Sequence, residues 1–174
     1  MNIEALKSNL PEHARDIKLN LSTVLTEDGA PDLSQRQIYL IALSSAYATK
    51  NNDVIQAIIN EAAIDLDDKD RQAALAAAAI MAMNNVYYRF THLVSDKSFA
   101  GMPAKLRMNI IGNPGIRKAD FELCCLAVSA LNGCGMCMDA HTHELTNSGV
   151  SKLAVQSCVR IAAVINAVNT VTSV

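Results

Sequence analysis

The chain has 174 residues, 51% of them hydrophobic and 4% aromatic, with no tryptophan and a formal net charge of -2 at pH 7. That length suffices for one substantial core, and the near-neutral charge argues against nucleic acid or an anionic membrane as the main partner. Alanine and leucine carry much of the apolar content, which favours closely packed helices over sheets and predicts an all-α fold. No run of about 20 apolar, uncharged residues suited to spanning a bilayer is expected. The first twenty residues lack the basic-then-apolar layout of a signal peptide. Five cysteines, including an adjacent pair and an odd one, do not suit a disulfide framework. They fit a cytoplasmic protein with one redox-active pair.

In chain order, helices are expected over residues 2–8 and 11–25, with Pro11 suited to the first turn of the second. Glu27-Asp28-Gly29-Ala30-Pro31 reads as a loop, and Ser34 is placed to cap a helix over about 35–49 that carries Ile38, Ile41, Ala42 and Ala46. Helices follow over about 52–63 and 68–89. The latter is almost continuously apolar from Ala73 to Met83, the pattern of a helix buried on all sides. Between Ser95 and Lys118 the pattern breaks into short pieces at Gly101, Pro103, Gly112, Pro114 and Gly115. Helices over 120–131, 134–147 and 151–171 complete the chain, with Asn147-Ser148-Gly149 ending one and Ser151 capping the next.

A weak internal repeat is visible. Leu40–Ala46 aligns with Cys125–Leu131, and Ile80–Asn85 with Ile161–Asn166. The chain therefore reads as one domain, 1–174, built from two duplicated helical units. A degenerate copy covers about 35–90 and serves as scaffold; a second, over about 119–171, carries the chemistry.

That chemistry is concentrated in Cys134-Gly135-Met136-Cys137, with His141 four residues on and Glu122 twelve residues before Cys134. Asn132-Gly133 interrupts the helix that holds Glu122, and glycine lets the backbone turn sharply. Cys134 then falls in the first turn of a new helix, where unpaired N–H groups and the helix dipole stabilise a thiolate. Cys134 and Cys137 lie three apart on one face, within reach of a disulfide. His141 is on the same stripe, placed to take a proton from a thiol and return one to a leaving group. Glu122 is placed to orient the imidazole or to extend the relay through a water. The dipole favours Cys134 as the nucleophile, whereas Cys137 is one turn from the base. Zinc is the rival reading, but Cys134, Cys137 and His141 leave a closed site one ligand short, with no second C-x-x-C or H-x-x-x-H to complete it.

The remaining reactive side chains read as structural. Cys124, Cys125 and Cys158 sit on apolar helix faces and are expected in the core. His143 points around the helix from His141, and His13 and His92 are isolated. Met81, Met83, Met102 and Met108 are expected to fill core or loop space. Lys97, Lys105, Arg107, Arg117 and Lys118 make the segment before the site basic, a solvated surface able to attract an acidic partner. Tyr87, Tyr88 and Phe90 beside Arg89 suit an interface.

On these residues the chain resembles the alkyl hydroperoxidase D (AhpD) family, the lipoyl-dependent peroxiredoxins of the carboxymuconolactone-decarboxylase-like superfamily. The resemblance runs from Tyr87-Tyr88-Arg89-Phe90 through Leu106–Asn109, Ala119–Leu123 and Leu126–Ala130 to Asn132-Gly133-Cys134, Cys137 and His141. It implies a helical homotrimer with a peroxidase activity that needs no haem, metal or bound cofactor. It implies that Cys137 is the peroxidatic cysteine and Cys134 the proton donor and resolving thiol of a redox-active disulfide, with Glu122 and His141 as the relay. The implied substrates are organic hydroperoxides or hydrogen peroxide. The implied electron donor is a lipoyl dithiol, dihydrolipoamide, on the lipoylated acyltransferase of a 2-oxoacid dehydrogenase complex; alternatively the chain regenerates a partner peroxiredoxin. Met136 departs from the family pattern, since some members carry a second histidine between the cysteines. Two other readings remain: a decarboxylase-type enzyme of the related fold, and a non-catalytic protein whose C-x-x-C senses oxidation.

Overall fold

Side-chain caps start most of the helices. In the computed structural model, which describes residues 1–173, these are nine α-helices with no strand among the described residues. Asn2 Oδ1 accepts the Ala5 N–H at 2.9 Å and starts α1, Ile3–Ser8. Pro11 leads not into one continuous helix but into a 3-10 turn, Glu12–Ala14, from which α2, Arg15–Val24, continues. Ser34 and Gln37 form a reciprocal capping box at the head of α3, Gln35–Thr49. Asn51 caps α4, Asn52–Glu61, and an Asp67/Asp70 capping box opens α5, Asp68–Leu93. A 3-10 turn, Lys97–Gly101, and the short α6, Asn109–Gly112, fill the broken segment. The last three helices are α7, Lys118–Leu131, α8, Gly135–Asn147, and α9, Lys152–Thr172, the last capped by Ser151.

The helix buried on all sides is α7, not α5. Every residue of α7 from Asp120 to Ser129 is buried, with α3, α5, α8 and α9 packed around it. The α5 helix buries Ala73, Ala74, Ala77, Ala78 and Met81 but presents Leu75, Val86, Phe90 and Leu93 outward. Its apolar run misleads because alanine occupies both faces and conceals the amphipathic period. By length and average apolarity α9 is able to cross a bilayer, although Arg160 interrupts its apolar run. Its face of Ala154, Cys158, Ile161, Ile165 and Val168 is buried, and the helix packs on α2, α3 and α7.

Three core helices are joined by one guanidinium. Arg36 of α3 donates Nε to Asp70 Oδ2 of α5 at 3.1 Å and Nη1 to Asp120 Oδ2 of α7 at 2.7 Å, with a further bond from Nη2 to Asp70 Oδ1. Gln37 Nε2 and Arg117 Nη2 complete the Asp120 carboxylate at 2.9 and 2.5 Å. Arg117, read as part of a solvated basic segment, is therefore drawn into this network. Burial pushes the Asp120 carboxyl up, but the hydrogen bonds from Arg117, Arg36 and Gln37 outweigh it and hold the group below its ordinary value near 3.8.

Arg36→Met strands the buried Asp70 carboxylate and is expected to destabilise the fold by about 3 kcal/mol in urea titration, the low end for a broken buried pair because Arg36 is itself partly solvated. A depressed folded pKa means that the Asp120 contribution is complete above the unfolded value and lost as pH falls through the folded one. Asp120→Asn should therefore lower stability at pH 7 and flatten its decline below about pH 4. An acid limb unchanged by the substitution would show that Asp120 is not its source.

Candidate active site

The site begins where α7 ends. Gly133 adopts φ 65°, in the left-handed region, and two bonds close the helix: Gly133 N–H to Ala130 O at 3.2 Å and Cys134 N–H to Ser129 O at 3.1 Å. Cys134 is thus tied to the end of one helix while serving as N-cap of the next. Its Sγ accepts from the Cys137 N–H at 3.4 Å, so it stands just before the first turn of α8 rather than inside it. The two cysteines are joined as a disulfide, with Cα atoms 5.3 Å apart. The sulfurs differ in access: Cys134 is 0% exposed and Cys137 6%.

Glu122 and His141 meet as the spacing suggested. His141 Nδ1 and Glu122 Oε2 are 2.6 Å apart, and both side chains are buried. A carboxylate only accepts, so Nδ1 carries the proton of this bond and Nε2 is left to act elsewhere. Nε2 faces not a cysteine but the Met81 sulfur, at 3.2 Å.

Met81 is the residue that sequence reasoning missed. Taken there as filler, it is buried beneath His141, and its sulfur accepts from Ser129 Oγ at 3.4 Å and Asn85 Nδ2 at 3.8 Å. The network continues from Asn85 Nδ2 to Ser129 Oγ at 3.0 Å and from Asn132 Nδ2 to Asn85 Oδ1 at 2.9 Å; Arg89 Nη1 holds Asn132 O at 2.7 Å. The turn before Cys134 and the imidazole are therefore fixed by one set of polar side chains from α5 and α7. The only sequence signal was Asn84-Asn85 in an otherwise apolar helix, since buried amides demand partners.

A cavity of about 220 Å³ opens beside Cys137 and His141, walled by Met81, Met108, Ile111 and Met136. Met136, the departure from the family pattern, thus forms part of an apolar wall. His92, isolated in the sequence, lies against the motif: a Cβ at Gly135 would stand 3.6 Å from its Cε1. His143 is exposed and bonds Asn147, whereas Lys118 pairs with Glu144.

The other three cysteines are buried, as expected. Burial pushes the Cys124 thiol up to about 12 and raises Cys125 and Cys158 well above the ordinary range, which leaves them inert as nucleophiles near neutrality. Among the described residues no three His, Cys, Asp or Glu side chains converge as a metal-binding group.

Residues 98–174 match the Carboxymuconolactone decarboxylase family. A protein of Coxiella burnetii named alkyl hydroperoxide reductase AhpD is 54% identical over 164 residues, covering 94% of this chain and 93% of its own length. A protein of the same name from Rhodospirillum centenum is 54% identical over 171 residues, 98% of this chain and 90% of its own. Another, from Azorhizobium caulinodans, is 53% identical over 165 residues, 95% of this chain and 90% of its own. With identity of this level along nearly the whole of both chains, the protein belongs to the AhpD family.

Proposed function

We propose that the chain is a thiol-dependent peroxidase, an alkyl hydroperoxide reductase that cycles Cys134 and Cys137 between dithiol and disulfide. The observation that carries this reading is the Cys134–Cys137 disulfide, with Cys137 in the wall of an apolar cavity and a buried Glu122–His141 pair beside it. The names of the relatives point the same way.

In the reduced protein, His141, oriented by Glu122, takes the proton of Cys137. The thiolate attacks the terminal oxygen of ROOH and the O–O bond breaks. Cys137 becomes a sulfenic acid, and the alkoxide takes a proton from Cys134 to leave as ROH. Cys134 then displaces water from the sulfenic acid to form the disulfide. An incoming dithiol restores both thiols and is itself oxidised to a disulfide. Access supports Cys137 as the nucleophile, since its side chain lines the cavity and that of Cys134 is fully buried. In the disulfide no sulfur carries a proton, so His141 Nε2 resting on Met81 is compatible with a relay that closes only on reduction.

The same reading takes dihydrolipoamide on a lipoylated acyltransferase as the electron donor, or a partner peroxiredoxin as the acceptor of reducing equivalents, with cytoplasmic action. It takes the chain as one domain that assembles as a homotrimer. Exposed Val86, Phe90 and Leu93 on α5 offer the apolar surface that such an assembly needs. It also takes α3–α5 and α7–α9 as duplicated units, supported by their matching order of three successive helices.

The match to the carboxymuconolactone decarboxylase family keeps a decarboxylase-type enzyme as the second reading, and activity that survives full alkylation would favour it. Mixed with tert-butyl hydroperoxide and dihydrolipoamide, the protein should consume dithiol catalytically, and Cys137→Ser should abolish that turnover. Appreciable peroxide reduction by the variant would overturn the assignment of the nucleophile. A single stoichiometric oxidation without turnover would point instead to a redox sensor or to a missing protein partner. Glu122→Gln keeps the size of the side chain but removes the charge, and is expected to lower kcat/KM about 100-fold, measured in the same assay.

A further inference from the structure

The cavity beside Cys137 contains one polar group that the mechanism does not use. Asn84 lines it and is 4% exposed. Its Oδ1 is buried without a hydrogen-bond partner, and among the described residues its side chain makes no hydrogen bond at all. A buried amide left unpaired costs on the order of 1–3 kcal/mol, so such groups mark places where something else binds. The neighbouring amide shows the contrast: Asn85 is bonded through both its oxygen and its nitrogen. Asn84 thus brings to the cavity wall an unused amide, a group that can both donate and accept.

Apart from Asn84, His141 and Tyr88 at one side, the wall around Cys137 is apolar: Met81, Met108, Ile111, Met136 and Ala140. One polar anchor, an apolar enclosure and a reactive sulfur together describe a small amphiphile with its polar end toward Cys137. A hydroperoxide has that form. Its O–O–H group offers one donor and two acceptors, which an amide oxygen and NH2 match.

Resting on the peroxidase reading above, we propose that this cavity is the hydroperoxide subsite and that Asn84 is its polar anchor. Asn84 hydrogen-bonds the O–O–H group while the methionine and isoleucine side chains hold the alkyl substituent. The site thereby favours hydroperoxides with a compact apolar group over hydrogen peroxide, which leaves the apolar walls unfilled. Asn84 takes no proton and forms no bond to the substrate other than hydrogen bonds.

Two measurements test this. In the first, pre-reduced protein is oxidised in a single turnover by cumene hydroperoxide or by hydrogen peroxide. Asn84→Leu should lower the second-order rate constant for cumene hydroperoxide about tenfold, the value of one lost hydrogen bond. Ile111→Trp, which fills the cavity, should lower the ratio of the cumene to the hydrogen peroxide rate constant by at least as much. The second measurement does not depend on turnover: 2-phenyl-2-propanol, the alcohol product, is titrated into the oxidised protein and the methionine methyl groups are followed by NMR. The expected result is saturable shifts of Met81, Met108 and Met136 that are lost in Asn84→Leu. Wild-type rates in Asn84→Leu, or no methyl shifts with the alcohol, would overturn the subsite. A wild-type protein inert to every hydroperoxide would overturn the peroxidase reading instead, and the alcohol titration would still decide the subsite by itself.

Discussion

The site depends on one backbone reversal, the left-handed turn at Gly133. Nothing lies within 4 Å of where a Cβ would be, so what glycine relieves there is torsional and not a clash. An L-residue with a side chain holds that conformation at a cost of about 1–2 kcal/mol. The turn ends α7 with both of its closing bonds made and delivers Cys134 directly to the head of α8. The same few residues therefore satisfy the terminal carbonyls of one helix and the first amides of the next. One consequence is that Cys134 is sealed between two helix ends while Cys137, one turn on, reaches the cavity.

The second organising constraint is that α7 carries two buried carboxylates two residues apart, which places them on different sides of the helix. Asp120 faces the scaffold and is held by Arg36, Arg117 and Gln37. Glu122 faces the chemistry and is held by His141. Guanidinium groups keep their charge at every accessible pH, so the first pair is a fixed fastening. The second pair instead joins the carboxylate to a ring nitrogen whose other nitrogen, Nε2, faces the Met81 sulfur. One buried helix thus bears both a scaffold ion pair and the carboxylate of the candidate site.

Much of this was legible in the sequence, for local reasons. Ser34, Asn147-Ser148-Gly149 and Ser151 act on neighbouring backbone, and the helix ends fall close to where those residues place them. Cys137 and His141 lie one turn apart on α8, so their shared place on the cavity wall follows from spacing alone. Glu122 joins them across a single turn. What was not legible is what arrives from distant helices. Met81 and Asn84 lie about 50 residues before Cys134, in an alanine-rich helix whose composition conceals which face is inner. His92 reaches Gly135 only because α5 runs on to Leu93, past the expected end at 89. The same concealment led to the assignment of all-round burial to α5, when the helix surrounded by others is α7.

The tension between the two cysteines resolves once acidity and access are separated. The helix-end argument concerns where negative charge on sulfur is most stable, and Cys134, accepting the Cys137 N–H at the cap of α8, satisfies it. Reagents, however, meet the sulfur they can reach, and that is Cys137. In thiol–disulfide exchange the attacked sulfur and the departing sulfur have opposite requirements: the first needs exposure, the second stability as a thiolate. Under the peroxidase reading an incoming dithiol attacks Cys137, and Cys134 departs into the cap that stabilises it. The dipole that makes Cys134 the better thiolate thus makes it the better leaving group. On that reading the same asymmetry would serve the oxidising half of the cycle at Cys137 and the reducing half at Cys134.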